Sequence, residues 1–188
     1  MTSAILLVED EENDVFFMQE ALKKAGVLNP IRVASDGQQA IDYFKGAGKF
    51  ANRQEFPLPC LVMLDLKLPY VMGLDVLKWI RQQPEISAIV IILSSSKAEA
   101  DIATAYRLGA NAYLFKPSDT SKLQVIAKSI KDFWLTQNTP PPESHEKEAA
   151  TGLTNGSRQE TSGRVRQSTL ETFSFLDNAQ QFLGNINL

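Results

Sequence analysis

The chain has 188 residues, 44% hydrophobic and 22% charged, which is enough apolar material for one domain with an appendage. Its formal net charge of -3 argues against a broad electrostatic footprint for nucleic acid. The single cysteine, Cys60, excludes an intramolecular disulfide and suits a reducing cytoplasm, and no apolar stretch is long enough for a signal peptide core or a membrane span.

In chain order, short apolar runs alternate with amphipathic segments. "AILLV" (4–8) is apolar throughout and predicts a strand buried on both faces. From 13 to 25, Val15, Phe16, Met18, Leu22 and Ala25 follow a helical period, with Gly26 as the stop. "IRVA" (31–34) predicts a second strand, and Ser35 or Asp36 can cap the helix that follows. The Gly and Pro content of "GAGKFANRQEFPLP" (46–59) predicts a loop. "CLVMLD" (60–65) is a third strand, followed by a helix from Gly73 to Gln83 with Leu74, Leu77, Trp79 and Ile80 facing the core. "AIVIILS" (88–94) is a fourth strand, and the helix Ala98–Leu108 after it ends at Gly109. "AYLF" (112–115) is a fifth strand, and Ser118–Leu135 is a last, longer helix.

Strands apolar throughout, alternating with amphipathic helices, indicate a doubly wound α/β fold with a parallel sheet of five strands. This domain is expected over residues 1–136. Residues 137–188 turn rich in Pro, Gly, Ser, Thr and charge, and predict a largely disordered tail. Within it Leu170, Phe173, Leu176, Ala179 and Leu183 recur at roughly helical spacing, which suggests a short helix near 169–184.

Ligands of an open parallel sheet gather beyond the carboxyl ends of its strands. Strand one ends in Glu9 and Asp10, strand three in Asp65, strand four in Ser94 and strand five in Lys116. If these strands are neighbours, three carboxylates, a hydroxyl and an ammonium share one crevice. Clustered carboxylates repel, and a hard cation such as magnesium, with carboxylates, waters and phosphate oxygens as ligands, relieves them. An aspartate can also attack phosphorus and form an aspartyl phosphate. The transfer then needs positioning and charge neutralisation, which Lys116 and Ser94 could supply beside magnesium.

Read together, "LLVEDE", "LVMLDLKLPYVMG", "VIILSSS" and "AYLFKP" resemble, in that order, a response regulator receiver domain, the CheY-like family of two-component signalling. The resemblance covers residue 4 to about 135 and implies the flavodoxin-like (βα)5 fold. It implies that Asp65 is the phosphorylated residue. Magnesium would then be held by Glu9, Asp10, Asp65 and the backbone carbonyl of Lys67. By the same resemblance Ser94 is the switch hydroxyl, Lys116 the phosphate-binding lysine and Tyr113 the rotating aromatic. Pro69 and Gly73 match the usual proline and glycine after the phosphoacceptor. A cis Lys116–Pro117 bond is also implied. Glu9 and Ser94 stand where aspartate and threonine are commoner, but acid and hydroxyl are kept. Lys67 and Ser96 occupy the positions that tune phosphate lifetime. The loop at 46–59 and the ending "IKDFWLTQ" look like the single-domain receivers that partner bacterial phytochrome histidine kinases, many of which are dimers.

The functional reading is therefore a switch rather than a conventional enzyme. A sensor histidine kinase donates the phosphoryl group, and an unidentified downstream protein receives the output. No nucleic acid or membrane partner is expected, and a homodimer is open. Two enzyme classes fit poorly. A haloacid dehalogenase-type phosphatase needs a second acid two places after Asp65, where Lys67 stands, and a nucleotide-binding fold needs a Gly-rich turn that "VEDEEN" lacks. The alternative is a phosphate-independent adaptor acting through its tail. Singly, Glu9 and Asp10 could be a helix-start acid pair, Tyr113 plain core, and Lys116 a solvated lysine before a proline turn. His145, in the polar tail, reads as solvated, Cys60 as a small buried hydrophobe, and Trp79 and Trp134 as packing residues.

Overall fold

Five strands alternate with five helices in the computed structural model, which describes residues 3–139. They are β1 (Ala4–Val8), α1 (Glu12–Lys24), β2 (Ile31–Ala34), α2 (Gly37–Lys45), β3 (Pro59–Leu64), α3 (Gly73–Arg81), β4 (Ile89–Ser94), α4 (Glu99–Arg107), β5 (Ala112–Phe115) and α5 (Thr120–Ser129). The tail, with the helix expected near 169–184, lies outside the described residues. No helix among the described residues is long and apolar enough to cross a membrane.

The sheet is parallel throughout, in the order β2-β1-β3-β4-β5. Strand order reverses between β1 and β3, so the crevice of a doubly wound sheet opens there. Side chains alternate across the sheet. Leu6, Val8, Val62, Leu64, Val90 and Ile92 pack in one core with Tyr43 and Phe44 of α2 and Val76, Leu77 and Ile80 of α3. Ile5, Leu7, Leu61, Met63, Ile91 and Leu93 pack on the opposite side with Met18 and Leu22 of α1 and Ala127 of α5. Each fully buried Leu or Ile stabilises the fold by roughly 1.5–3 kcal/mol, which explains why the central strands carry no polar residue before their ends.

Helix ends follow local chemistry. The Asp36 carboxylate accepts from the Gln39 amide at 2.7 Å and caps α2. Gly46, with φ 67, closes the same helix in the left-handed conformation that glycine tolerates. The loop from 46 to 59 contains a 3-10 turn at Gly48–Phe50 and is tied down at both levels. The Arg53 guanidinium donates to the carbonyls of Tyr43, Phe44 and Phe56, so it satisfies acceptors at the end of α2. The rings of Phe50 and Phe56 lie 5.2 Å and 6.0 Å from Tyr43.

Four expectations change. Phe16, expected on the inner face of α1, is 59% exposed, because the buried stripe runs through Met18, Ala21 and Leu22. In α3, Val76 is buried where Leu74 and Trp79 are only half-buried. The last helix does not run uniformly to Leu135: α5 passes into π-helical turns over Ile130–Gln137. There the Thr136 hydroxyl donates to the Lys131 carbonyl at 2.9 Å and competes with the regular ladder. No peptide bond among the described residues is cis, so Lys116–Pro117 takes the trans form that X–Pro bonds favour by about 0.5–1 kcal/mol.

Candidate functional site

Sheet hydrogen bonding continues one residue past the strands and fixes the polar residues beyond them. The Glu9 amide donates to the Ala34 carbonyl at 3.0 Å, the Asp65 amide to Val8 at 3.1 Å, and the Lys116 amide to Ser94 at 2.9 Å. The neighbouring strands β1 and β3, with β5 one strand further on beyond β4, thus deliver Glu9, Asp65 and Lys116 to one place. Carboxylate oxygens of Glu9, Asp10 and Asp65 lie within 4.8 Å of one another; Glu9 and Asp65 are buried and Asp10 is exposed. An all-oxygen set of this spacing fits a hard divalent cation, with the exposed side left for water.

The Lys116 ammonium sits among the carboxylates. Its Nζ lies 2.5 Å from Glu9 Oε2, 2.6 Å from Asp65 Oδ2 and 3.1 Å from Asp14 Oδ2. Burial alone would depress its pKa. The hydrogen bonds to Asp65 and Glu9, with their charges, outweigh burial and hold it above the ordinary lysine value. Burial also pushes the Glu9 carboxyl up from its ordinary value, against the hydrogen bond and charge of Lys116, and the Asp65 charge adds to the rise. An apolar strand can end in a buried aspartate here because Asp65 has a charged partner in direct contact and two amides of its own loop. Its Oδ1 accepts from Leu66 N at 2.5 Å and from Lys67 N at 3.3 Å.

The loop after β3 is held by close backbone approach. A Cβ on Gly73 would lie 2.0 Å from the Asp65 carbonyl oxygen, and one on Gly37 would lie 1.9 Å from that of Val71. Only glycine fits at either point. Between them the Val71 amide donates to Pro69 at 2.8 Å across Tyr70, whose φ of 64 makes this a strained γ-turn.

Ser94 is fully buried at the end of β4, and its Oγ accepts from the Ser96 amide at 3.4 Å. Tyr113 is 8% exposed and points inward, its hydroxyl donating to the Ser96 carbonyl at 2.9 Å. Burial raises the Tyr113 pKa, so the phenol stays a donor. The Ser96 hydroxyl in turn donates to Asp101 Oδ2 at 2.5 Å, which ties the loop after β4 to the first turn of α4.

The structure therefore brings Glu9, Asp10, Asp65 and Lys116 together, with Ser94 on the adjacent strand end and Tyr113 behind it. For Lys67 it fixes the amide, on Asp65. The residue the sequence reading missed is Asp14, the third carboxylate on Lys116. Its signal was an acid one helical turn after Asp10, at a position where helix starts commonly carry acids anyway.

Residues 5–128 match the model of the response regulator receiver domain family. The response regulator Rcp1 of Synechocystis sp. is 36% identical over 138 residues, covering 73% of this chain and 92% of that protein. The crystal structure of the phosphorylated cyanobacterial phytochrome response regulator RcpA matches with a TM-score of 0.70 at 36% identity, covering 76% of this chain and 100% of that one. The Mn(2+)-bound form of Rcp1 matches with a TM-score of 0.67 at 33% identity, covering 74% of this chain and 99% of that one.

Proposed function

The chain belongs to the response regulator receiver domain family, and from that membership we propose that it is a single-domain, phosphorylation-controlled switch. Asp65 is the acceptor. A carboxylate oxygen of Asp65 attacks the phosphorus of a phosphohistidine, an O–P bond forms as the N–P bond breaks, and the imidazole leaves with the bonding electron pair. The observation that carries this reading is Lys116 Nζ at 2.6 Å from Asp65 Oδ2, inside a cluster of three carboxylates.

Glu9, Asp10, Asp65 and the Lys67 carbonyl would hold magnesium, which when bound offsets the negative charge that the phosphoryl group brings to the acids. The Mn(2+)-bound relative and the all-oxygen donor set support a divalent cation. Lys116 orients a phosphoryl oxygen and balances its charge, and Ser94 donates its hydroxyl to another. When Ser94 turns toward the phosphoryl group it leaves the Ser96 amide, and Tyr113 follows. The face built from α4, β5 and α5 then changes, which is a two-state element biased by a local charge event.

The donor is a sensor histidine kinase. The relatives named for phytochrome signalling make a phytochrome kinase the first one to test. Output is by protein contact in the cytoplasm, as monomer or homodimer, with no nucleic acid, no membrane and no turnover of a separate substrate.

Treating the purified protein with acetyl phosphate tests the reading by intact mass. A gain of one phosphoryl group is expected with magnesium, and none is expected without magnesium or in Asp65→Asn. Equal labelling of Asp65→Asn would remove Asp65 from its role. No labelling from acetyl phosphate or from a phytochrome kinase would favour a phosphate-independent adaptor.

A further inference from the structure

Among the described residues, Asp14 makes no side-chain hydrogen bond within its own helix. It is the third residue of α1, from which a side chain often reaches back to the amide at the helix start. Here that amide, of Glu11, donates to Glu9 Oε1 at 3.3 Å instead, and α1 has no side-chain cap. Among the described residues, the partner of Asp14 is Lys116. The helix dipole favours an acid in this turn but does not explain why a 48% exposed carboxylate points at a mostly buried ammonium 102 residues away.

Lys116 has competing demands. Its ammonium bonds Glu9 and Asp65, and both carboxylates also belong to the oxygen cluster that suits a divalent cation. Two cations sharing those oxygens repel, and the repulsion is poorly screened where Glu9 and Asp65 are buried. Space exists for the ammonium to yield. A cavity of about 180 Å³ adjoins Lys116, with Asp14, Phe17, Met18, Leu93 and Leu123 among its walls.

Resting on the receiver reading above, we propose that Asp14 is a positioning residue that holds the Lys116 ammonium when a divalent cation takes Glu9. The lysine then stays beside Asp65 although one of its two buried partners has been withdrawn. Without Asp14, the cation displaces an ammonium that has no second carboxylate to move to, and cation binding weakens.

Calorimetric titration of the full chain with Mn2+ tests this through binding rather than activity. Glu12→Gln is the control, because it removes the same charge from the same helical turn, and Glu12 makes no ion pair among the described residues. Asp14→Asn should weaken Mn2+ binding about five-fold, and Glu12→Gln less than about two-fold, as suits partly exposed charges. Asp14→Glu should restore most of the loss. In a Lys116→Met background, Asp14→Asn should cost no more than Glu12→Gln. Equal losses in the two single variants, or an Asp14→Asn loss that persists in the Lys116→Met background, would overturn the proposal and leave the receiver reading intact. A wild-type chain that binds no Mn2+ would overturn both.

Discussion

Glu9 is 3% exposed, and its carboxylate is held among Lys116, Asp65 and Asp10. Burial keeps its pKa above the ordinary 4.5, against the pull of Lys116. The folded chain therefore retains a proton at Glu9 at pH values where the unfolded chain has released it. That contribution to stability is complete below 4.5 and is lost as pH rises through the folded value. In metal-free protein, wild-type stability relative to Glu9→Gln should therefore fall from pH 4.5 towards neutrality. Urea unfolding of both proteins at the two pH values measures it, and a constant or growing advantage for wild type would contradict it. The acids and the lysine were legible at this scale because Glu9, Asp65 and Lys116 are each the first polar residue after an apolar strand, and Asp10 follows Glu9 directly. Asp14 was not, because a carboxylate in the first turn of a helix has an ordinary reason to be there. Tyr70 was not either, since nothing in "LPYVMG" announces a positive φ on an aromatic residue.

Among the elements, α2 and the loop after it show how far periodicity reaches. Gly and Pro marked residues 46–59 as a loop, and it is one. The apolar residues inside it follow no period, so their packing could not be read in advance. Phe50 is 2% exposed and lies against Tyr43 and Phe56, and Arg53 holds the loop to the end of α2. Phe50→Ala should destabilise the domain by about 3–5 kcal/mol, the usual cost of removing a buried ring. Phosphorylation by acetyl phosphate should survive below the lowered melting temperature, because the ring packs on Tyr43 and Phe56 and is not part of the carboxylate cluster. Denaturant unfolding beside mass labelling separates the two effects, and lost labelling in a still-folded variant would tie this loop to the site. Strands were easier to read than helices throughout. A strand buried on both faces needs only a continuous apolar run, whereas the inner stripe of α1 was displaced by one exposed phenylalanine. The π-helical end of the last helix, where the Thr136 hydroxyl donates to the Lys131 carbonyl, is not revealed by composition.

Across the described domain, the two cores are separated by the sheet, and the carboxylate cluster lies at one end of it. A ligand that binds this cluster only in the folded state stabilises the entire domain by mass action. Magnesium at a hundredfold excess over its dissociation constant should add about 2.7 kcal/mol and raise the melting temperature by several degrees. Asp10→Asn should abolish most of that rise, and an unchanged rise in the variant would exclude Asp10 from the cation site. The strand order itself was narrowed by the alternation of elements and by the handedness of crossovers. Its consequence reaches back to synthesis. Lys116 leaves the ribosome 51 residues after Asp65, an interval of roughly 3–10 s at 5–20 residues per second. Until then the nascent chain carries the acids without the ammonium that balances them. The paired carboxylate–ammonium cluster is thus withheld from a half-made polypeptide, and is complete only when the last strand has docked.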